Sequence, residues 1–128
     1  LIIYLVTAQV ALSQVIYPQV KSNQKIIEHL QLSVPSSNKE AWLKAEKASW
    51  EPWLKKQKGF LGRQLYWDPQ QERATLLISW SNRSTWQAIP KSEINYVQEL
   101  FEEYARNATG IQEGNPFPLL YEGELIPQ

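Results

Sequence analysis

The sequence predicts an α+β domain in the order β-α-β-β-α-β, a single antiparallel sheet with its helices on one face. Three observations carry this. Residues 25–34 and 73–80 alternate apolar and polar side chains, the period of a strand buried on one side. The runs at 60–67 and 73–80 are joined by Asp68-Pro69-Gln70-Gln71-Glu72, a tight-turn composition that pairs them as a hairpin. Helical spacing of apolar residues appears once before that hairpin and once after it. This order is the ferredoxin-like arrangement.

In strand one, Leu30, Leu32 and Val34 share one face, and His29, Gln31 and Ser33 the other. Pro35, Ser36, Ser37 and Asn38 then supply a turn with several N-cap candidates. The helix that follows carries Trp42, Leu43, Trp50, Trp53 and Leu54 on one broad arc. Pro52 lacks the N–H that would bond the Ala48 carbonyl, so a kink or restart is expected near Trp50, and Gly59 is placed to end the helix. Strand three sets Ala74, Leu76, Ile78 and Trp80 against Thr75, Leu77 and Ser79. Ser81 or Asn82 caps a short helix that Pro90 breaks. A longer helix over about 92–107 places Ile94, Val97, Leu100, Phe101, Tyr104 and Ala108 in its apolar stripe. Residues 116–126 supply the last strand.

A chain of 128 residues suits one domain. Thirteen basic and thirteen acidic residues cancel, so no long-range field draws it to nucleic acid or anionic lipid. Lys55, Lys56 and Lys58 form only a short basic cluster at a helix end, complementing the helix dipole. The absence of cysteine excludes disulfides, thiolate nucleophiles and iron–sulfur ligation. With one histidine, a multi-histidine metal site is impossible, and no carboxylate metal motif is recognisable, so neither metal nor cofactor is expected. Six tryptophans require a large flat apolar surface to be buried in a core, an interface or a ligand pocket.

Residues 1–12 are a charge-free apolar run, too short to span a bilayer as a mature helix. Ala11-Leu12-Ser13 matches the small-x-small pattern of a signal peptidase site, which reads as export with Gln14 opening the mature chain. No basic segment precedes the run, and the alternative is a tail on a cytoplasmic protein. Residues 15–24 are polar with Pro18 and read as a linker. The domain organisation is therefore 1–24, a signal-like segment and linker, and 25–128, the folded domain.

Alternation puts His29, Gln31, Gln64, Tyr66, Thr75 and Glu122 on the sheet face away from the helices. Polar groups set in aromatic surface are the usual lining of a small-molecule pocket, and equally of a wet protein interface. His29 has the chemistry of a general base or a haem ligand, with Arg63 or Glu122 as neighbours at the strand ends. A lone strand histidine is also an ordinary structural residue. Glu28, Glu122 and Glu124 read as strand-edge charges. Glu46 lies one turn from both Trp42 and Trp50, a carboxylate among indoles. Burial there would raise its pKa and make it a proton acceptor; the competing role is to bind tryptophan N–H groups or a surface lysine. Asn82-Arg83-Ser84 and Asn107-Ala108-Thr109 match the glycosylation sequon, which matters only in a eukaryotic secretory pathway. No phosphate-binding glycine loop or nucleophile elbow is recognisable.

The Gly59-Phe60-Leu61-Gly62 start of strand two, the Asp68-Pro69 turn, Trp80-Ser81-Asn82-Arg83-Ser84-Thr85-Trp86, and the tryptophan-rich helix at 42–54 together resemble the antibiotic-biosynthesis-monooxygenase-like group of the dimeric α+β barrel superfamily, closest to small cyanobacterial members. The resemblance covers about 26–125. It implies a homodimer in which two sheets pack face to face, and Tyr66, Leu77 and Leu120 would be this chain's apolar contribution. A one-layer sheet needs such cover. It implies two functional classes: a module holding a hydrophobic or aromatic small molecule, or a cofactor-independent monooxygenase in which His29 or Glu46 abstracts a proton from a flat substrate. Haem-degrading members frame haem with a histidine after strand three, where Ile89, Pro90 and Lys91 stand here, so haem degradation is not expected.

Overall fold

The computed structural model describes residues 23–128, so the signal-like segment and nearly all of the linker expected at 1–24 lie outside the described residues. The predicted order of elements is the observed one: β1 (Ile26–Ser33), a 3-10 turn (Ser36–Asn38), α1 (Lys39–Ala48), α2 (Trp50–Lys55), β2 (Phe60–Asp68), β3 (Arg73–Trp80), α3 (Arg83–Gln87), α4 (Lys91–Thr109) and β4 (Leu119–Leu125). The sheet runs β2-β3-β1-β4 with every neighbour antiparallel.

Local chemistry sets the breaks. At Ser49 the backbone leaves the helix, with φ −120° and ψ −77°, and its hydroxyl donates to the Ala45 carbonyl at 2.7 Å. Pro52 has no N–H to continue the α1 ladder, and the chain restarts as α2. Asp68 Oδ1 accepts the N–H groups of Gln70 and Gln71 in the hairpin turn, and Asn82 Oδ1 caps α3 by accepting from Thr85 N at 2.8 Å. Gly110 ends α4 in the left-handed conformation.

The core lies between one sheet face and the packed pair α1 and α4. Trp42, Trp80, Trp86, Phe101 and Phe117 are fully buried in it. Each contributes roughly 1.5–3 kcal/mol on leaving water. Along β1 the even-numbered residues are buried, and register carries that face to Ala74, Leu76, Ile78 and Trp80 on β3. His29, Gln31, Thr75 and Leu77 lie on the opposite face, which no helix covers among the described residues.

Two expectations change here. The stripe of α4 is Ile94, Val97, Phe101 and Ala105, while Tyr104 and Ala108 are exposed. The position four residues after Ile94 is Gln98, so the true stripe passes through a polar residue that a purely apolar count steps around. On β4, Leu30 opposes Glu122 and Glu28 opposes Glu124, so both glutamates face the helices and Glu122 is absent from the open face. A register shift between Gln31 and Leu32 sets this parity: Tyr121 opposes Gln31 and Leu119 opposes Leu32, which leaves Leu120 at the irregularity, half exposed.

Candidate functional site

A cavity of about 30 Å³ lies inside the helix-covered half of the domain. Its aromatic walls are Trp50 and Trp53 of α2, Trp80 of β3, and Phe101 and Phe117, with Leu30, Leu76 and Ile78 as the sheet floor. Five polar residues line it: Glu28, Glu46, Arg63, Gln98 and Asn115. This combination of enclosed apolar surface with a few convergent polar groups is the make-up of a small-molecule site. At this volume it accommodates water, and a ring enters only when a lining side chain swings aside. Trp53, partly buried and edge-on to Trp50 at 5.5 Å between ring centres, stands at the surface end. A wider hollow along Ile27, Leu61, Gln64 and Ser79 is open to solvent and encloses nothing.

Glu46 reaches the cavity from the last turn of α1, where its spacing from Trp42 turns it inward. It is 1 % exposed. Its Oε2 accepts the Trp42 indole N–H at 3.2 Å, and its Oε1 accepts Arg63 Nη1 at 2.5 Å. Arg63 is itself buried at the side chain and also reaches the Glu46 carbonyl at 3.5 Å, with Glu51 at 3.9 Å. Burial pushes the Glu46 carboxyl above its ordinary range, and the Arg63 charge with the two hydrogen bonds opposes that push. Chemically this is a desolvated ion pair facing an apolar cavity.

Arg63 owes its position to the hairpin register. From the turn, Trp67, Leu65 and Arg63 pair in step with Ala74, Leu76 and Ile78, and the one inserted residue, Leu61, lies upstream, where Gly62 opposes Ser79 and Phe60 opposes Trp80. Arg63 thereby opposes Ile78 and points to the core, not toward His29. Gly62 takes φ +146°, a region side chains rarely adopt.

Glu28 is likewise no edge charge: it is 4 % exposed and accepts the Trp80 indole N–H at 3.3 Å. Glu122, on the same face, is pushed up to about 7, first by burial and then by the negative charge of Glu28. Glu124 is held by a two-bonded fork from Arg83, at 2.9 and 3.2 Å. No group of three or more His, Cys, Asp or Glu among the described residues is placed to hold a metal ion.

The open face gathers five of the residues expected there but builds no cavity from them. Thr75 stands between Gln31 and Tyr66 in the register of the three strands. Tyr66 donates to Gln64 Oε1 at 3.1 Å, and Arg73 donates to Gln31 Oε1 at 3.4 Å. His29 has its Nε2 3.5 Å from Gln31 Nε2 and its ring 5.1 Å from that of Tyr121. His29 and Glu46 thus lie on opposite faces of the sheet and share no site. Arg63, Glu28, Gln98 and Asn115 are the polar residues of the cavity that sequence reasoning did not place there. A count that carried strict alternation back from Trp67 and Leu65 would have put Arg63 on the apolar face, where a guanidinium requires a carboxylate partner.

No family model matches the chain, and a search of curated proteins finds no match. Solved structures do match in fold. A provisionally assigned antibiotic biosynthesis monooxygenase from Bordetella bronchiseptica superposes with a TM-score of 0.55 at 15 % identity, covering 82 % of this chain and 98 % of that one. A monooxygenase from the gene ActVA-Orf6 of Streptomyces coelicolor, solved with the ligand Nanaomycin D, gives 0.55 at 11 % identity, covering 84 % and 91 %. A conserved protein of Methanosarcina mazei Go1 gives 0.50 at 14 % identity, covering 84 % and 96 %. The chain therefore has the antibiotic-biosynthesis-monooxygenase-like α+β fold. No helix among the described residues is long and apolar enough to cross a membrane.

Proposed function

We propose that this protein is a dimeric small-molecule-binding module that takes a flat aromatic or hydrophobic ligand between its sheet and its helices. The observation that carries this reading is the cavity itself, walled by Trp50, Trp53, Trp80 and Phe101 and reached by buried charges. A core built for packing alone has no use for a buried Arg63 and two buried glutamates beside a void, because each ion costs several kcal/mol to desolvate, of order 3–5 where a partner is lost. The dimer is supported by the open face, where Tyr66, Tyr121 and Leu125 are 53 %, 49 % and 42 % exposed beside the half-buried Ile27 and Leu77. Native mass spectrometry of the full chain, purified from a host rich in aromatic metabolites, tests both parts. A dimer with a stoichiometric extra mass supports the reading, and an empty monomer contradicts it.

A second reading has its own observation. Glu46 sits at the cavity wall with its pKa held up by burial, as a proton acceptor requires, and two of the fold neighbours are described as monooxygenases. In that reading Glu46 would release Trp42 or Arg63 and take a proton from an activated C–H. The carbanion adds to dioxygen and the proton returns to the peroxide oxygen, leaving a hydroperoxide. Oxygen uptake with a hydroxynaphthalene substrate, lost in Glu46→Gln with ligand binding kept, is the result this reading requires.

A further inference from the structure

Among the described residues, Gln98 is the one neutral side chain lining the cavity that keeps a buried polar atom without a hydrogen-bond partner. It occupies the inward stripe of α4, one turn from Ile94 and next to Val97, and lines the cavity with Phe101. Its amide is oriented by chemistry: Nε2 donates to Glu102 Oε2 at 2.9 Å, a bond only the nitrogen end can make to a carboxylate. Oε1 is therefore turned the other way, is buried, and has no hydrogen-bond partner among the described residues. A buried acceptor left empty is costly, on the order of 1–3 kcal/mol, and in folded proteins such groups are normally satisfied.

We propose that Gln98 Oε1 is the group that reads the ligand, and that it selects a hydrogen-bond donor: the ligand is a hydroxylated ring, not a bare hydrocarbon. This rests on the cavity as the binding site. The aromatic walls accept any flat apolar ring, so they supply affinity without discrimination, whereas a fixed acceptor rewards the ring that brings an O–H and penalises the one that leaves it unpaired.

Three probes of one ring skeleton separate the possibilities: naphthalene, 1-methoxynaphthalene and 1-naphthol, measured by equilibrium dialysis against the full chain. A cavity that reads only apolar surface prefers naphthalene, because burying a hydroxyl without a partner is unfavourable. With Gln98 acting as acceptor, 1-naphthol binds roughly tenfold to a hundredfold tighter than either other probe. In Gln98→Met, of similar length and without the acceptor, that preference disappears while naphthalene binds at least as well. Naphthalene bound as tightly as 1-naphthol by the unmodified protein overturns the inference and leaves the cavity reading standing, with a water as the partner of Gln98. A preference that survives in Gln98→Met also overturns it and moves the role to Glu28 or Glu46. Failure of all three probes to bind overturns both the inference and the cavity reading.

Discussion

The Glu46 carboxylate and the Arg63 guanidinium meet 2.5 Å apart with their side chains 1 % and 6 % exposed, joining the end of α1 to the start of β2 inside the core. A buried pair adds little net stability over well-packed apolar residues, but losing one member strands the other charge. Arg63→Met or Glu46→Leu alone is expected to cost about 3–5 kcal/mol, while Glu46→Leu combined with Arg63→Met recovers most of that. Urea unfolding at fixed protein concentration gives the four stabilities of this cycle. Additive losses would show that the pair is uncoupled.

Regular pairing from the hairpin turn faces Arg63 inward, and just before it the inserted Leu61 brings Phe60 opposite Trp80, with Gly62 at φ +146°. A Cβ at Gly62 would meet nothing within 4 Å, so any cost of Gly62→Ala comes from the backbone alone. It is expected to destabilise by about 1–3 kcal/mol. Amide hydrogen exchange at the start of β2 should rise with it, since regular pairing there puts Leu61 opposite Trp80 and turns Phe60 away from the core it packs against. Unchanged exchange and stability would remove the bulge from the argument.

Two carboxylates give opposite pH slopes. Glu122 is raised to about 7 from 4.5, so between those values the folded state holds a proton that the unfolded chain has released. Its contribution is present below 4.5 and is lost as pH rises through about 7. Glu122 is only partly buried and water screens it, so the slope is shallow. Glu122→Gln should flatten the fall in melting temperature across that interval. Glu72 runs the other way: accepting the Ser36 N–H at 2.7 Å holds its carboxyl below the usual range, so its contribution stands above 4.5 and is lost as pH falls through the lowered value. Glu72→Gln should alter only the acid limb.

The proposed dimer gives a prediction on the other face of the sheet. Leu77, opposite His29 and Gln64, lies at the centre of the uncovered surface. Leu77→Glu places a charge there without touching the cavity, and sedimentation should convert a dimer to a folded monomer. A wild-type monomer would contradict the proposal.

Element order, strand faces and the helix break near Trp50 were legible because each depends on local chemistry: alternation in β1 and β3, the Asp68-Pro69 turn, the missing N–H of Pro52. Glu46 was also visible, since a carboxylate one turn from two tryptophans has little room to reach water. Its partner was not. Arg63 lies in step with Leu65 and Trp67, but a charged residue at an apolar position reads as the end of the stripe; on β4 a single-residue register shift beside Leu120 fixes the parity of Glu122, and periodicity counts carry no sign of an inserted residue. Gln98 escaped for a different reason. A stripe found by looking for apolar side chains passes over the polar residue that shares it.

The central claim is that the ligand lies on the helix side of the sheet, and a crystal structure of the protein grown with 1-naphthol tests it most directly. The expected result is a ring against Trp50, Trp80 and Phe101, with Trp53 displaced from its present place beside Trp50. A ring seated on the opposite face, beside His29 and Tyr66, would contradict the claim.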